Sequence, residues 1–402
     1  MNQIKKLSDI EVYINLYKSD ENNRIINIHH LKNAQPIGNL YYPNCLLKSD
    51  SVIYNPINER IMSLSNVTHK EKKFDYFEIN KKEETPVFFF IYNTDNYYHF
   101  VYDTLPYLIS FLELKKHIKD VKLLMNYPNS SKNEFYRFVD EFLDILDITK
   151  DDILIVDKNT VYDSVYISSS YTHGDDSNLP PRKEIYEFYQ KIVDIVVNSH
   201  KKETPKKIYI SRRTWINNDL SNIGTNYTTR RRLVVEDELV SLLTSNGYEE
   251  IFTESLTTIE KILMFQQADT IIGSIGGGLC NVLFSNKESN LIALISPTFL
   301  DVNERFKYSF EKVNTFYFND SYHIEIDKWK KYMRVSYKDI VGEVEEVMND
   351  KLLISYVNEN VAGWNSSMNF NKIELYKSEC VMLDNGLNSS WSFDIEKIKK
   401  YI

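Results

Sequence analysis

Cysteine is nearly absent: 402 residues carry only Cys45, Cys280 and Cys380. The three show neither paired spacing nor the short intervals of a metal site. That excludes a disulfide scaffold and points to a reduced compartment. Long apolar runs are missing too. None approaches the ~20 residues of a membrane-spanning helix. The opening stretch MNQIKKLSDIEVYINLYKSDENN has no uninterrupted apolar segment of the kind a signal peptide needs. A cytoplasmic protein is therefore expected, with peripheral membrane contact left open. Sequons such as Asn226-Tyr227-Thr228 carry little weight in that setting. Positive charge is in deficit, at a net −9, which argues against nonspecific nucleic-acid binding. Glycine and proline are scarce, 11 and 10 in all, so the places where they gather are strong punctuation. No internal repeat is present.

Apolar and aromatic residues are plentiful. Hydrophobic content is 43% and aromatic content 13%, with 29 Tyr and 21 Phe, ample for the two cores that the length suggests. Residues 1–86 carry short alternating runs rich in Asn and Lys, and read as a β-rich lead-in packed on an N-terminal domain. That domain, residues 87–181, begins with a strand over Pro86–Tyr92. A strand over Val121–Met125, an amphipathic helix over Glu134–Leu146, and strands over Ile153–Val156 and Val161–Ser169 follow. The irregular segment SSSYTHGDDSNLPP closes it. Residues 182–205 read as a linker helix, Arg182–Asn198, and a linker. A C-terminal α/β domain covers residues 206–350 and ends in a strand and helix near 334–348. Residues 351–402 form an extension of unassigned role. Its end, Asp394–Ile402, reads as a helix lying back on the first domain or as a partner-binding piece. Alternation in both halves predicts an α/β fold of two doubly wound, Rossmann-like domains facing a central cleft.

The scarce glycines gather in one stretch, ADTIIGSIGGGLCNVLFSNKESNLIALISP, residues 268–297. A buried strand over Thr270–Ile272 runs into Gly273-Ser274-Ile275-Gly276-Gly277-Gly278. A short helix over Leu279–Phe284 follows, then a strand over Leu291–Ile295, stopped by Pro297. Strand, glycine turn, helix and strand make the unit of a parallel sheet. Successive glycines let a ligand approach the backbone and leave amides at a helix N-terminus, which suits an anion. The stretch is not a P-loop, because no Gly-Lys-Ser/Thr follows. Nor is it GxGxxG, because Asn281 stands at the sixth position. A turn needed only for tight packing explains it equally well. Upstream, KKIYISRR (206–213) is a strand over Ile208–Ile210 with Arg212 and Arg213 leaving its C-terminal end, where ligands of open α/β sheets sit. Arg230-Arg231-Arg232 precede LVVEDEL, which opens a helix. These arginines make a locally positive region on an acidic background, although a solvated surface is the bland reading of such a run. Thr257-Thr258-Ile259-Glu260 carries a capping signal, with Ile259, Ile262, Leu263 and Phe265 at helical spacing.

Far upstream, Asn93-Thr94-Asp95-Asn96 turns out of the first strand and caps a helix that starts near Tyr97. His99 and Asp103 are four apart and share one face. Pro106 must kink or end that helix, because its ring clashes with the carbonyl of Tyr102. A lone His on a helix is more often structural; a His–Asp pair at a strand end is a candidate for proton transfer.

Four pieces in order carry a resemblance: NYYHFVYDTLP (96–106), YISRR, RRRLVVEDEL, and SLTTIEKILMFQQADTIIGSIGGGLCN. Together they resemble the family 61 glycosyltransferases, over roughly residues 87–300. Three positions depart from the family pattern: Ile275 stands where His is usual, Val235 where Asn precedes the motif Glu, and Lys261 where Gln is usual. The resemblance implies a GT-B fold and an inverting, metal-independent glycosyltransferase. Its donor is a nucleotide diphosphate sugar, UDP-sugar favoured, and its acceptor a glycan hydroxyl in surface polysaccharide or glycoconjugate synthesis. It implies no cofactor beyond the donor. The chain has no Asp-x-Asp, and Asp151-Asp152 and Asp175-Asp176 read as solvated pairs.

Such a transfer must stabilise the departing diphosphate and deprotonate the acceptor hydroxyl. The planar fork of arginine suits the first task. The donor-binding candidates are Arg212, Arg213, Arg231, Arg232, Glu236, Gly276, Gly277, Gly278 and Asn281, with Arg212 best placed and Arg230 beside them. Glu236 orients an arginine or accepts ribose hydroxyls, unless it is an ordinary first-turn acid. Asp103 and His99 are the catalytic candidates, one as base and the other orienting it; His173 is the runner-up base. Two other readings stay open, a non-catalytic nucleotide-sugar-binding protein and a nucleotide-sugar epimerase on the same scaffold.

Overall fold

The computed structural model describes residues 4–5, 10–41, 45–49, 52–54, 77–128, 133–173, 179–213, 231–357 and 370–402. Arg230, Asp175-Asp176 and the sequon at Asn226 lie outside them. The fold is α/β. The chain divides into two compact units, Met1–Ile192 and Val193–Ile402. The boundary falls inside the linker helix, observed over Glu184–Ser199.

A ten-stranded mixed sheet organises the first unit. Its path runs β1 (Ile4–Lys5), β5 (Val52–Tyr54), β4 (Cys45–Ser49), β3 (Ile26–Gly38), β10 (Thr160–Ser168), β7 (Val87–Phe89), β8 (Lys122–Met125) and β9 (Ile153–Ile155). Off that path, β2 (Val12–Tyr17) pairs with β3, and β6 (Lys81–Glu83) with β10. Strands β10, β7, β8 and β9 run parallel, with helices α1 (Tyr107–His117) and α2 (Arg137–Ile145) as crossovers. Val87, Phe88 and Phe89 are wholly buried, as a parallel strand covered on both faces should be. The β-rich stretch expected before residue 86 shares this sheet. Strands β1–β5 extend the same sheet through an antiparallel β3–β10 pairing from Ala34↔Tyr162 to Ile28↔Ser168, and β6 pairs directly with β10 in parallel. Burial of Ile26, Ile28, Leu31, Ala34 and Ile37 along β3 is what makes it an interior strand rather than an appendage.

The second unit is built on a five-stranded parallel sheet, β12 (Glu249–Ile251), β11 (Lys207–Ile210), β13 (Thr270–Ser274), β14 (Asn290–Leu294) and β15 (Asn314–Phe318), in that spatial order. Counted within the sheet the order is 2-1-3-4-5, so the topology reverses between β11 and β13. One face packs Tyr209, Ile272, Ile292 and Leu294 against Leu239 and Leu243 of helix α4 (Glu236–Ser245). On the other, Ile210 and Gly273 approach Leu279. Helix α5 (Thr258–Gln267) carries the expected capping box. Thr257 Oγ1 accepts from Glu260 N at 3.2 Å, and the Glu260 carboxylate accepts from Thr257 N at 3.0 Å. No described helix is long and apolar enough to cross a membrane.

Beyond β15 the structure departs from the sequence reading. Residues 334–348 form no helix. They are strands β17 (Arg334–Tyr337) and β18 (Ile340–Val347) of an antiparallel sheet with β19 (Lys351–Val357), β20 (Phe370–Tyr376) and β21 (Val381–Met382). Val341, Val344 and Val347 stand three apart, which mimics a helical stripe, but β-branched residues favour strands. A bulge between Val344 and Glu346 breaks the two-residue alternation. The C-terminal segment packs within the second unit. Strand β22 (Trp391–Phe393) pairs with β16 (Ser321–His323), and Trp391, Phe393 and Ile398 complete the α4 face of the parallel sheet.

Candidate functional site

In an open parallel sheet the C-terminal ends of the strands at a topological switch form a natural ligand crevice. Here those ends are Ser211-Arg212-Arg213 after β11 and Ile275-Gly276-Gly277-Gly278 after β13. Glu236, the first residue of α4, reaches into this point and is only 2% exposed. Its Oε1 accepts from Tyr209 Oη at 2.8 Å and from the Arg212 amide at 2.8 Å. Its Oε2 is buried with no hydrogen-bond partner among the described residues, as is Ser274 Oγ at the end of β13. Burial pushes the Glu236 carboxyl above its ordinary range, against the Arg212 amide, the Tyr209 hydroxyl and two arginine charges. Burial likewise lowers the Arg212 guanidinium, and Glu236 acts against that shift. The pair is a cation and an anion at the switch point, each destabilised by the loss of water.

The glycine turn is shaped around Arg212. A Cβ on Gly276 would lie 2.6 Å from Arg212 Nη1, and one on Gly278 2.7 Å from Thr253 Oγ1. Gly273 is tight against Ile210 and Leu279, at 3.0 Å to each. Gly277 alone of the four would meet nothing within 4 Å. Packing therefore accounts for Gly273, Gly276 and Gly278, while Gly277 faces open space. Asn281 Nδ2 donates to Gly278 O at 2.8 Å and fixes the turn. Ile275 serves Arg212 through its backbone: Arg212 Nη1 donates to Ile275 O at 3.5 Å. Replacing the family's His by Ile leaves that contact intact. Val235 makes no side-chain cap to α4 and packs instead against the apolar core.

The other arginines are engaged elsewhere. Arg213 pairs with Glu250, at 2.5 and 2.9 Å, and with Asp237 at 2.7 Å. Arg231 lies over the Phe299 ring at 4.2 Å. Arg232 donates to Glu343 and Glu345 of β18 and sits over Tyr332. Their local backbone is held by the C-terminal segment: Trp391 Nε1 donates to Arg231 O, and the Trp391 amide to Arg232 O, both at 2.9 Å.

In the first unit, the turn that carries His99 and Asp103 follows β7. Asn96 caps it, its side chain accepting from His99 N at 3.3 Å. Over Phe100–Thr104 the coil widens to a π-helical turn, with Leu105 N donating to Phe100 O. This wide turn precedes Pro106, and α1 starts immediately after it. His99 Nδ1 lies 2.7 Å from Asp103 Oδ2. The structure adds two neighbours on the other carboxylate oxygen. Thr172 Oγ1 donates to Asp103 Oδ1 at 3.3 Å, and His173 Nδ1 lies 3.5 Å from it. Thr172 was not singled out from sequence, although it adjoins His173. Asp103 is the more enclosed member of the pair, with 11% of its side chain exposed against 32% for His99.

Residues 97–292 match the sequence model of the family described as Glycosyltransferase 61. No curated protein matches the chain.

Proposed function

Because the chain belongs through residues 97–292 to the glycosyltransferase 61 family, and is on that ground a glycosyltransferase, we propose that it transfers a sugar with inversion from a nucleotide diphosphate sugar, a UDP-sugar first among these. The acceptor is a glycan hydroxyl in surface polysaccharide or glycoconjugate synthesis, and the reaction needs no metal. The observation that carries this reading is the half-buried Arg212 at the switch point, beside Gly277, which leaves open space. A diphosphate would add its negative charge to that of Glu236, which already acts on this half-buried cation. Glu236 Oε2 and Ser274 Oγ are suited to hydroxyl or N–H groups of the nucleoside.

The proton follows a second route. Asp103 orients His99 through Nδ1, so His99 Nε2 accepts the proton of the acceptor hydroxyl. The oxygen forms its bond to the anomeric carbon as the bond to the diphosphate breaks. One displacement inverts that carbon. Arg212 receives the charge of the leaving group. The GT-B-like arrangement of the two units, a cytoplasmic location and the domain limits read from sequence are carried as part of this proposal. The test is turnover with a panel of nucleotide sugars. Nucleotide diphosphate release should survive EDTA, and Asp103→Asn should lower kcat by roughly 10²–10⁴ while leaving donor affinity in place. Turnover lost in EDTA and restored by Mn²⁺, or a fully active Asp103→Asn, would refute it.

A further inference from the structure

The loop that brings Thr172 and His173 to Asp103 is held from outside the family segment. Arg24 lies between β2 and β3 and is buried. Its guanidinium makes three bonds to three backbone carbonyls: Nη1 to His173 O at 2.6 Å, Nε to Pro180 O at 2.8 Å, and Nη2 to Leu179 O at 3.2 Å. Arg182 returns the grip. Its Nη1 donates to Arg24 O at 2.6 Å and to Lys18 O at 2.7 Å, while Glu184 holds the rest of its fork. Asp20 Oδ1 fixes the Arg24 amide at 2.8 Å. Two buried arginines thus lock the turn at 18–24 to His173 and to residues 179–184.

Resting on the assignment of His99 and Asp103 as the proton-transfer pair, we infer that Arg24 is a positioning residue for that pair and acts through His173. The chain of contacts is short. Arg24 fixes the His173 backbone, residues 172–173 meet Asp103 Oδ1, and Asp103 Oδ2 orients His99. A displacement of about 1 Å at a catalytic group is worth on the order of 10²-fold in rate. Lysine cannot replace this arginine, because a single ammonium cannot reach three carbonyls spread around a planar fork.

The first test needs no substrate. The ring resonances of His99 and His173, assigned with His99→Gln and His173→Gln, are compared at one pH in wild type, Arg24→Lys and Asp103→Asn. Arg24→Lys should move both sets of resonances in the same direction as Asp103→Asn. The resonances of His200 and His323, in the second unit, should stay where they are in wild type. Unmoved His99 and His173, or equal movement of His200 and His323, overturns the inference. The second test is kinetic. Arg24→Lys should lower kcat on the order of 10²-fold with donor KM little changed. Adding it to a variant that carries both Thr172→Val and His173→Ala should cost no more than that variant alone. Losses that multiply, or wild-type kcat in Arg24→Lys, overturn it. A fully active Asp103→Asn sinks the proton-transfer assignment itself. An inactive Asp103→Asn beside an active Arg24→Lys sinks only the role of Arg24.

Discussion

Arg212 illustrates how much a single side chain can decide. It leaves β11 at the switch point, and its amide is tied to Glu236 at 2.8 Å. Its side chain is half-buried, and that burial works against its charge. Bringing a diphosphate beside it reverses that penalty, so the two should bind each other strongly. Arg212→Ala should weaken binding of a nucleotide diphosphate by about 1.5–3 kcal/mol, the range for a hydrogen bond to a charged group. The matching nucleoside should bind nearly as before. Isothermal titration of both ligands measures the difference. Equal affinity of the diphosphate for wild type and variant would return Arg212 to a structural role. Arg213, one residue on, serves as a control, because its fork is already taken by Glu250 and Asp237, and their contacts hold its charge firmly.

At the scale of elements, the glycine turn separates packing from ligand approach. Gly276 and Gly278 have neighbours where a Cβ would stand, and Gly277 has none within 4 Å. Gly276→Ala should therefore displace Arg212 and lower both stability and diphosphate affinity. Gly277→Ala should leave the melting temperature within a degree or so, since it meets no protein atom, yet cut diphosphate affinity. If Gly277→Ala binds the diphosphate like wild type, the ligand does not pass there. Sequence could place this turn, the strand before it, the Asn96 cap and the Thr257–Glu260 capping box, because each is written within a few adjacent residues. It could also put His99 and Asp103 on one face. It could not assign the arginine run. Arg213 meets Glu250 and Arg232 meets Glu343, partners 37 and 111 residues away, and no local pattern encodes such pairings. Nor could it find the antiparallel sheet, where valines three apart and a bulge imitate a helix. Arg24 was hidden for the same reason: it acts on carbonyls 149–156 residues away.

Across the whole molecule, the acidic surface and the two units set how stability should respond to pH, and one buried carboxylate gives that response a sign. Glu343 on β18 is completely buried, bonded to Arg232 at 2.9 Å and to Ser390 Oγ at 2.6 Å. The two partners pull in opposite senses. Burial acts downward on Arg232, but Glu343 and Glu345 outweigh it and its charge is favoured; burial raises the Glu343 carboxyl to about 7 despite Arg232. The Glu343 shift is the safer guide, since Arg232 stays charged at any relevant pH. An acid with a raised folded-state pKa holds its proton more tightly when folded. Its contribution to stability is full below the unfolded value, near 4.3. It falls as pH rises through the folded value, about 7. Glu343→Gln keeps its oxygen as acceptor for Arg232, turns its NH2 to Ser390 Oγ, which can accept as well as donate, and removes the titration. Relative to wild type, this variant should melt higher at pH 8 than at pH 5, by an amount equivalent to roughly 2–4 kcal/mol. The comparison with wild type at each pH cancels other groups, Glu236 included. Parallel melting curves across that range would show that Glu343 does not titrate there. A variant that loses ground at pH 8 would show instead that the Arg232–Glu343 ion pair stabilises the fold, and that burial of the carboxylate is fully compensated.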